Sequence, residues 1–391
     1  MIQRKKLGEI ANISAGQGAP QGAENYSEEG TPFVKAGDLF YLVNGERECD
    51  IQKVSEEVAK NHRLKLYPKG TVLFAKSGMS CMKGYVYATN AECYVVSHLA
   101  CIMPFDVDSK YLKYYFEYHK PNQLVKDASY PSISLADIAE MPINVFDDQT
   151  EAKIVDNLDA VNSLIAKSKE ELGLLDNIVK SRFIEIVNEK QPIKTAEEVC
   201  SVIIDCPHST PRYDEAALIY PSIRTSEIRN GEIDWSSMKY VGENEYYERT
   251  KRLTPQPGDI VYAREGTYGD CVILPVGYSF CLGQRTMLFR PDGVICNSIY
   301  LHQVLRSDDV KRQANESNAG STVPHVNVAD AKKFSFPLPS IAVQSRFAAF
   351  VAEVDKSKFR IQKSLSTSRK LWTLARIDAI MNMDFSTQRS L

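Results

Sequence analysis

The side chains with the most chemical capacity in this chain fall into short clusters. Asp205-Cys206-Pro207-His208-Ser209-Thr210 sets a carboxylate, an imidazole and two hydroxyls side by side. These are the groups of a hydrolytic triad, yet no G-x-S-x-G elbow accompanies them, so triad catalysis is not expected. Gly16-Gln17-Gly18 is not followed by a glycine three residues on and makes no dinucleotide loop. His and Cys never fall at metal-ligand spacing, so no metal is expected. What remains is a set of cations, amides and hydroxyls suited to nucleic acid. Lys35 and Arg224 each follow a short hydrophobic run, as do Lys76 and Arg264. Gln284-Arg285 follows Cys281-Leu282-Gly283, and Ser97-His98 stands in the corresponding place. Ser129-Tyr130 and Ser321-Thr322 lie just before a proline, while His208, Ser209 and Thr210 are flanked by two. Gln suits adenine, Arg suits guanine, and hydroxyls reach phosphates. Any one of these residues could instead sit solvated on the outer face of a strand, or serve a proline-flanked turn. Basic character at both paired positions favours contact.

Those pairs exist because the chain repeats itself. Gly70-Thr71-Val72-Leu73-Phe74-Ala75-Lys76-Ser77-Gly78 returns as Gly258-Asp259-Ile260-Val261-Tyr262-Ala263-Arg264-Glu265-Gly266. Upstream, Pro32-Phe33-Val34-Lys35 matches Pro221-Ser222-Ile223-Arg224. Downstream, Tyr130-Pro131-Ser132-Ile133 matches Val323-Pro324-His325-Val326. The offset drifts only from about 188 to about 193 residues, so block order and spacing are kept. A period near half the chain is too long for a solenoid and means two copies of one domain. Runs such as Thr71–Ala75 and Tyr94–Met103 read as strands, and Ser109–His119 reads as a helix. The tyrosine stripe on that helix (Tyr111, Tyr114, Tyr115, Tyr118) is expected to pack in the core rather than stack on bases.

Between and after the copies the hydrophobic period changes to steps of four and three. Ile154, Leu158, Val161, Ile165, Ser168, Leu172, Leu175, Val179, Arg182 and Ile186 form one seam. Phe347, Val351, Val354, Lys358, Ile361, Leu365, Ser368, Trp372, Ala375 and Ala379 form a second. Such seams belong to coiled coils, and two in one chain have an obvious partner in each other. A Gln opens each helix, Gln149 and Gln344. The expected architecture is α/β (α+β): a domain over 1–148, a long helix over 149–190, a second domain over 191–340 and a second helix over 341–391. Packed as an antiparallel coiled coil, the helices would confer a pseudo-twofold axis and act as a ruler between two reading heads. Duplex DNA has local twofold axes to match.

Composition adds bounds. At 391 residues, 43% hydrophobic and 25% charged, the chain reads as globular, with room for two to three domains. No apolar run approaches a membrane span and no signal core follows Met1-Ile2-Gln3-Arg4-Lys5-Lys6, so a cytoplasmic location is expected. Nine scattered cysteines without a C-x-x-C pair read as free thiols in a reducing compartment. The net charge of −3 argues against a stand-alone, high-affinity DNA binder, because phosphate contacts supply most such affinity.

On these residues the chain resembles the specificity subunit of type I restriction–modification systems over essentially its full length. Asp205-Cys206-Pro207-His208-Ser209-Thr210-Pro211 resembles the family's opening motif. Gly258–Gly266 and Leu282-Gly283-Gln284-Arg285 resemble its sheet motifs; Gly320–Asn327 with Phe336-Pro337-Leu338-Pro339 resembles its exit motif. The first copy diverges, with Ser14-Ala15-Gly16-Gln17-Gly18-Ala19-Pro20 at its opening and His98 set against Gln284. The resemblance implies two target recognition domains reading a bipartite, asymmetric site in double-stranded DNA, with the helices setting the gap. It implies assembly with two modification (methyltransferase) subunits and, for cleavage, two motor-nuclease restriction subunits. S-adenosylmethionine, ATP and Mg would be bound by those partners, and this chain would carry no cofactor. No [ND]-P-P-[YF] segment is present, so the chain itself is not expected to transfer methyl groups. The competing reading is a protein–protein scaffold or immunity-type regulator that kept the repeat and lost DNA reading, with the net charge as its support.

Overall fold

The computed structural model describes residues 3–187, 191–265, 269–317 and 325–381. Its strands come in two matching sets. In the first copy these are β1 (Gln3–Lys6), β2 (Ala11–Ala15), β3 (Thr31–Val34), β4 (Lys53–Val54) and β5 (Val72–Ala75), then β6 (Val86–Ala88), β7 (Tyr94–Val95), β8 (Leu99–Pro104) and β9 (Pro142–Val145). The second copy begins with β10 (Ile193–Thr195), β11 (Cys200–Asp205) and β12 (Tyr220–Ile223). A small hairpin follows, β13 (Ile228–Arg229) with β14 (Glu232–Ile233), then β15 (Lys239–Val241) and β16 (Ile260–Ala263). The set closes with β17 (Cys271–Ile273), β18 (Cys281–Leu282), β19 (Thr286–Pro291) and β20 (Ser335–Pro337).

The sheets repeat strand for strand. A four-stranded sheet β2-β8-β5-β6 corresponds to β11-β19-β16-β17, a three-stranded β4-β3-β7 to β15-β12-β18, and the pair β1-β9 to β10-β20. In each four-stranded sheet the two inner strands are buried on both faces. Val72, Leu73 and Phe74 are closed off in the first copy, and Ile260, Val261 and Tyr262 in the second. That explains their continuous apolar runs where alternation would mark a half-exposed strand.

The run Tyr94–Met103 is not one strand. It breaks after Val95, because Val96 donates its N–H to Val34 O (3.0 Å) and Leu99 turns back to Val96 O (3.0 Å). Ser97 and His98 therefore stand in a turn between two sheets. The tyrosine helix forms over Ser109–Tyr118, with Asp108 capping its first N–H groups. Tyr111, Tyr114 and Tyr115 are buried. Tyr111 Oη donates to Asn144 O (2.8 Å) and Tyr115 Oη to Pro142 O (2.6 Å), so the stripe clamps the strand that leads into the first long helix.

That helix covers Asp148–Ile186 and the second Ile341–Met381. The chain divides into two compact units, Met1–Ser168 with Ser364–Leu391, and Lys169–Lys363. Within the second unit the helices are antiparallel: Asp176 pairs with Lys358, and the Phe183 and Phe347 rings lie 5.9 Å apart. Val179, Phe347 and Val354 are buried in this contact. Lys358, a cation in an apolar seam, is matched there by the Asp176 carboxylate. Among the described side chains the expected seam fails at one position, and Ala375 and Ala379 lie outside them. Arg182 points outward to Glu185 (2.7 Å), and Phe183 takes its place against Phe347. Burying a guanidinium beside Val179 would cost more than a one-residue drift of the stripe.

Where each long helix meets its domain, a buried side chain holds the junction. Gln344 is fully buried; its Oε1 accepts the Asn297 N–H (2.8 Å), and Nε2 donates to Pro339 O (2.8 Å) and Ile295 O (3.1 Å). In the first unit that role falls to Glu151, which accepts the Asp108 N–H, and not to Gln149. Asp108 and Asn297 are the N-caps of matching helices, Ser109–Tyr118 and Ser298–Leu305. Burial pushes the Glu151 carboxyl up to about 7.

All nine cysteines are free, seven of them buried. Among the described residues no His/Cys/Asp/Glu group could hold a metal, and no helix is long and apolar enough to cross a membrane.

Candidate nucleic-acid interface

Backbone hydrogen bonds place most of the candidate residues at one end of each four-stranded sheet. In the first unit, Lys76 follows β5 and donates its N–H to His98 O (2.9 Å), while Ile133 N–H donates to Lys76 O (2.7 Å). Ser97 N–H donates to Gln17 O (2.7 Å), joining the turn to the segment after β2. Lys35 follows β3, immediately after the Val34 carbonyl that holds Val96. Ser129 and the strongly exposed Tyr130 precede Pro131, whose carbonyl accepts Gly78 N–H (3.0 Å). Lys35, Lys76, Ser97, His98, Ser129 and Tyr130 thus gather in one region.

The second unit repeats the pattern. Arg264 N–H donates to Arg285 O (3.0 Å) and Val326 N–H to Arg264 O (3.1 Å). Gly283 N–H donates to Ile223 O (2.7 Å), beside Arg224. A Cβ at Gly283 would lie 2.6 Å from that carbonyl, so only glycine permits the approach. Gln284 Nε2 donates to Thr210 Oγ1 (2.9 Å). Ser209 is held through Arg249, a buried residue that also donates to Leu282 O (2.9 Å) and so ties the opening loop to the Gly283 turn. His208, Ser209, Thr210, Arg224, Arg264, Gln284 and Arg285 therefore form the equivalent group. Ser321 and Thr322 lie outside the described residues.

These bonds also set the correspondence between copies. Ala75 pairs with Leu99 and Ala263 with Thr286; Ala15 pairs with Ala100 and Asp205 with Met287. Hence Lys76 corresponds to Arg264, Ala15 to Asp205 and Ser77 to Glu265. His98 corresponds to Arg285, one residue away from the Gln284 that the motif comparison set against it; Ser97 corresponds to Gln284.

The cations are not equivalent in their freedom. Arg224 is bound to Glu227, a fully buried carboxylate, through Nε (3.0 Å) and Nη2, and this hydrogen bonding raises its already high pKa. Arg264 is paired with Asp205, and both side chains are largely covered. Arg285 is 65% exposed, with Nε 3.0 Å from Glu265 Oε2; the other oxygen of Glu265 meets His325 Nδ1 at 2.8 Å. In the first unit Lys35 bonds Gln52 (2.6 Å) and lies over the Tyr26 ring (4.0 Å). Ala15 stands at the position of Asp205, so Lys76 has no acid there to neutralise its charge as Arg264 does. His98 is exposed, with Nδ1 2.8 Å from Ser77 Oγ.

Nothing in the sequence marks Glu265 or Glu227 as functional, and Asp205 stands out in it only as a triad letter. An acid three residues after a strand-end Arg, as in Arg224–Glu227, is the one local signal that could have shown a pairing. The triad letters do not assemble: His208 Nε2 lies 3.7 Å from Asp205, whereas Ser209 Oγ faces Arg249. Ser77 and His98 touch, but the same place in the second copy holds an ion pair and not a nucleophile.

Two copies of one mixed domain, each presenting cations, amides and hydroxyls at a sheet end and joined by long helices, define a duplicated recognition protein. The family profile described as "Type I restriction modification DNA specificity domain" matches residues 2–174 and 219–368, and the chain belongs to that family. It is 30% identical over 143 residues to the type I restriction enzyme MjaIX specificity subunit of Methanocaldococcus jannaschii, covering 34% of this chain and 31% of that one. It is 24% identical over 151 residues to the StySPI specificity subunit of Salmonella potsdam, covering 37% and 32%. These alignments span about a third of the length of the curated relatives. The crystal structure of the S subunit of a type I restriction–modification system from M. genitalium shares the fold, with a TM-score of 0.58 at 12% identity over 98% of this chain and 97% of that one. A second type I structure, solved in a study of complex assembly, gives a TM-score of 0.57 at 13% identity over 97% of both chains.

Proposed function

We propose that this chain is the non-catalytic DNA-specificity subunit of a type I restriction–modification complex. Residues 1–148 and 191–340 act as two target recognition domains, each reading one half of a bipartite asymmetric site. The helices over 149–190 and 341–391 set the gap between the halves. Two methyltransferase subunits assemble on the chain and, for cleavage, two motor-nuclease subunits; these carry S-adenosylmethionine, ATP and Mg. The observation that carries this reading is the duplicated sheet end, with Lys76, Ser97 and His98 in one unit at the positions of Arg264, Gln284 and Arg285 in the other. Similar scaffolds with different hydrogen-bonding groups are what two unlike half-sites require.

The test is a methylome. The chain is expressed with its neighbouring methyltransferase in a methylation-free host, and modified adenines are mapped by long-read sequencing. A split motif that disappears when the chain is omitted supports the reading. A stable complex without new methylation favours the scaffold reading, to which the carboxylate pairing of Arg224 and Arg264 and the net charge of −3 lend weight.

A further inference from the structure

The sheet ends differ at one paired position. Glu265 with Arg285 in the second unit stands where Ser77 with His98 stands in the first. We propose that this pair is what gives the two domains different base preferences: Glu265 is a positioning residue that holds Arg285 to read a guanine, and Ser77 holds His98 to make a single hydrogen bond to its base. The proposal rests on the DNA-reading function above and assigns the groups that divide it.

Four observations support it. First, of Arg224, Arg249, Arg264 and Arg285 at the second sheet end, only Arg285 is largely exposed; Arg224 is 23%, Arg264 11% and Arg249 2% exposed, and Arg224 and Arg264 end on acids. Second, the contact to Glu265 engages Nε. The two Nη groups are left as a fork, and a planar fork of two donors fits O6 and N7 of guanine. Third, the mount is built from both sides. Glu265 is braced by His325 Nδ1 (2.8 Å), and Arg285 adopts φ 63°, a left-handed backbone that non-glycine residues seldom adopt. A turn kept in such a conformation next to Gly283, where a side chain would strike the Ile223 carbonyl, is held by its surroundings. Fourth, the partner acid cancels the charge of Arg285 toward phosphate while leaving its directional donors, which trades general affinity for base choice. His98 in the first unit has Nδ1 on Ser77 and only Nε2 left to offer. One ring nitrogen cannot reproduce a two-donor fork, so the two half-sites must differ where these residues reach.

The test uses the chain in complex with its methyltransferase, selecting from DNA libraries randomised across both half-sites. The wild-type complex should show a guanine at one position of the second half-site. Glu265→Ala should lower the preference for that guanine about ten- to a hundredfold, while the first half-site stays as it was. Glu265→Asp, which keeps the anion beside Arg285, should retain most of the preference; a general loss of folding would not be rescued in this way. Arg285→Lys keeps the charge and removes the fork, and should lose the guanine preference while leaving general affinity nearly intact. The double variant Ser77→Glu with His98→Arg should install a guanine preference in the first half-site only. A motif that survives Arg285→Lys unchanged, or a loss spread evenly over all positions, would overturn the pair while leaving DNA reading in place. Absence of any base preference in the wild-type complex would overturn both.

Discussion

Glu151 offers a sharp test of how the first domain is fixed to its helix. The carboxyl is buried, accepts the Asp108 N–H, and is held up to about 7 against an ordinary 4.5. Burial is the main cause; the Asp108 N–H opposes it, and the nearby charges of Asp108, Asp148 and Asp106 add to it. Below about pH 4.5 both the folded and the unfolded chain carry the proton, and the junction is at full strength. Between about 4.5 and 7 the unfolded chain releases the proton and the folded chain keeps it, so stability falls as pH rises. Above about 7 the whole cost is present. At about 1.4 kcal/mol per pH unit, that span corresponds to about 3 kcal/mol. Gln344 does the same work in the second unit as a neutral amide and incurs no such cost. Glu151→Gln should therefore match the wild type near pH 4.5 and exceed it by up to about 3 kcal/mol at pH 8. Urea unfolding of both proteins across pH 4.5–8.5 reads this directly, since groups other than Glu151 cancel in the difference. The mirror variant Gln344→Glu should create the same slope in the second unit. A difference between Glu151→Gln and wild type that stays flat with pH would refute the argument, because it would mean that the buried carboxyl is ionised at little cost.

Four further outcomes are expected. Arg264→Ala strands the largely covered Asp205 carboxylate and should cost about 3 kcal/mol in denaturant unfolding. Lys76→Ala, at the corresponding position without an acid, should cost under about 0.5 kcal/mol, and its effect should appear in DNA binding as a shallower salt dependence. Tyr114→Phe removes the hydroxyl shared by Asp159 and Asn162 on the first long helix; it should cost about 1 to 2 kcal/mol in stability, measured in the same way. Inserting one heptad after Ser168, with a matching heptad in the second helix, adds about 10 Å of helix. The methylated motif should then show its half-sites separated by about three additional base pairs, and an unchanged gap would end the idea of a ruler.

Much of the architecture could be read in the chain because it was written twice. Phe33-Val34 and Ser222-Ile223 sit in matching strands, and Val72–Ala75 and Ile260–Ala263 form the inner strands of matching sheets. The helical seams were legible because coiled-coil periodicity is local; among the described side chains they failed at Arg182, where a one-residue drift spares a charge from burial. The Tyr94–Met103 run misled because an apolar stretch does not show where its hydrogen bonds change sheets. Gln149 does open its helix, but being near a helix start does not settle which side chain turns inward, and there it is Glu151.

Sequence alone determined the duplication, the helical spacer, the family and the place of the polar groups at strand ends, since each follows from local patterns that recur in order. Tertiary structure decided which cations are tied and which are exposed. Asp205 reaches Arg264 across 59 residues, and Ser77 meets His98 across 21, and no spacing rule foretells such meetings. It also decided that His98 answers to Arg285 and Glu151 to Gln344. The first match is fixed by strand register carried into a turn and the second by a side-chain oxygen accepting an N-cap N–H, and neither a turn nor a helix start carries the alternation that would reveal a one-residue offset.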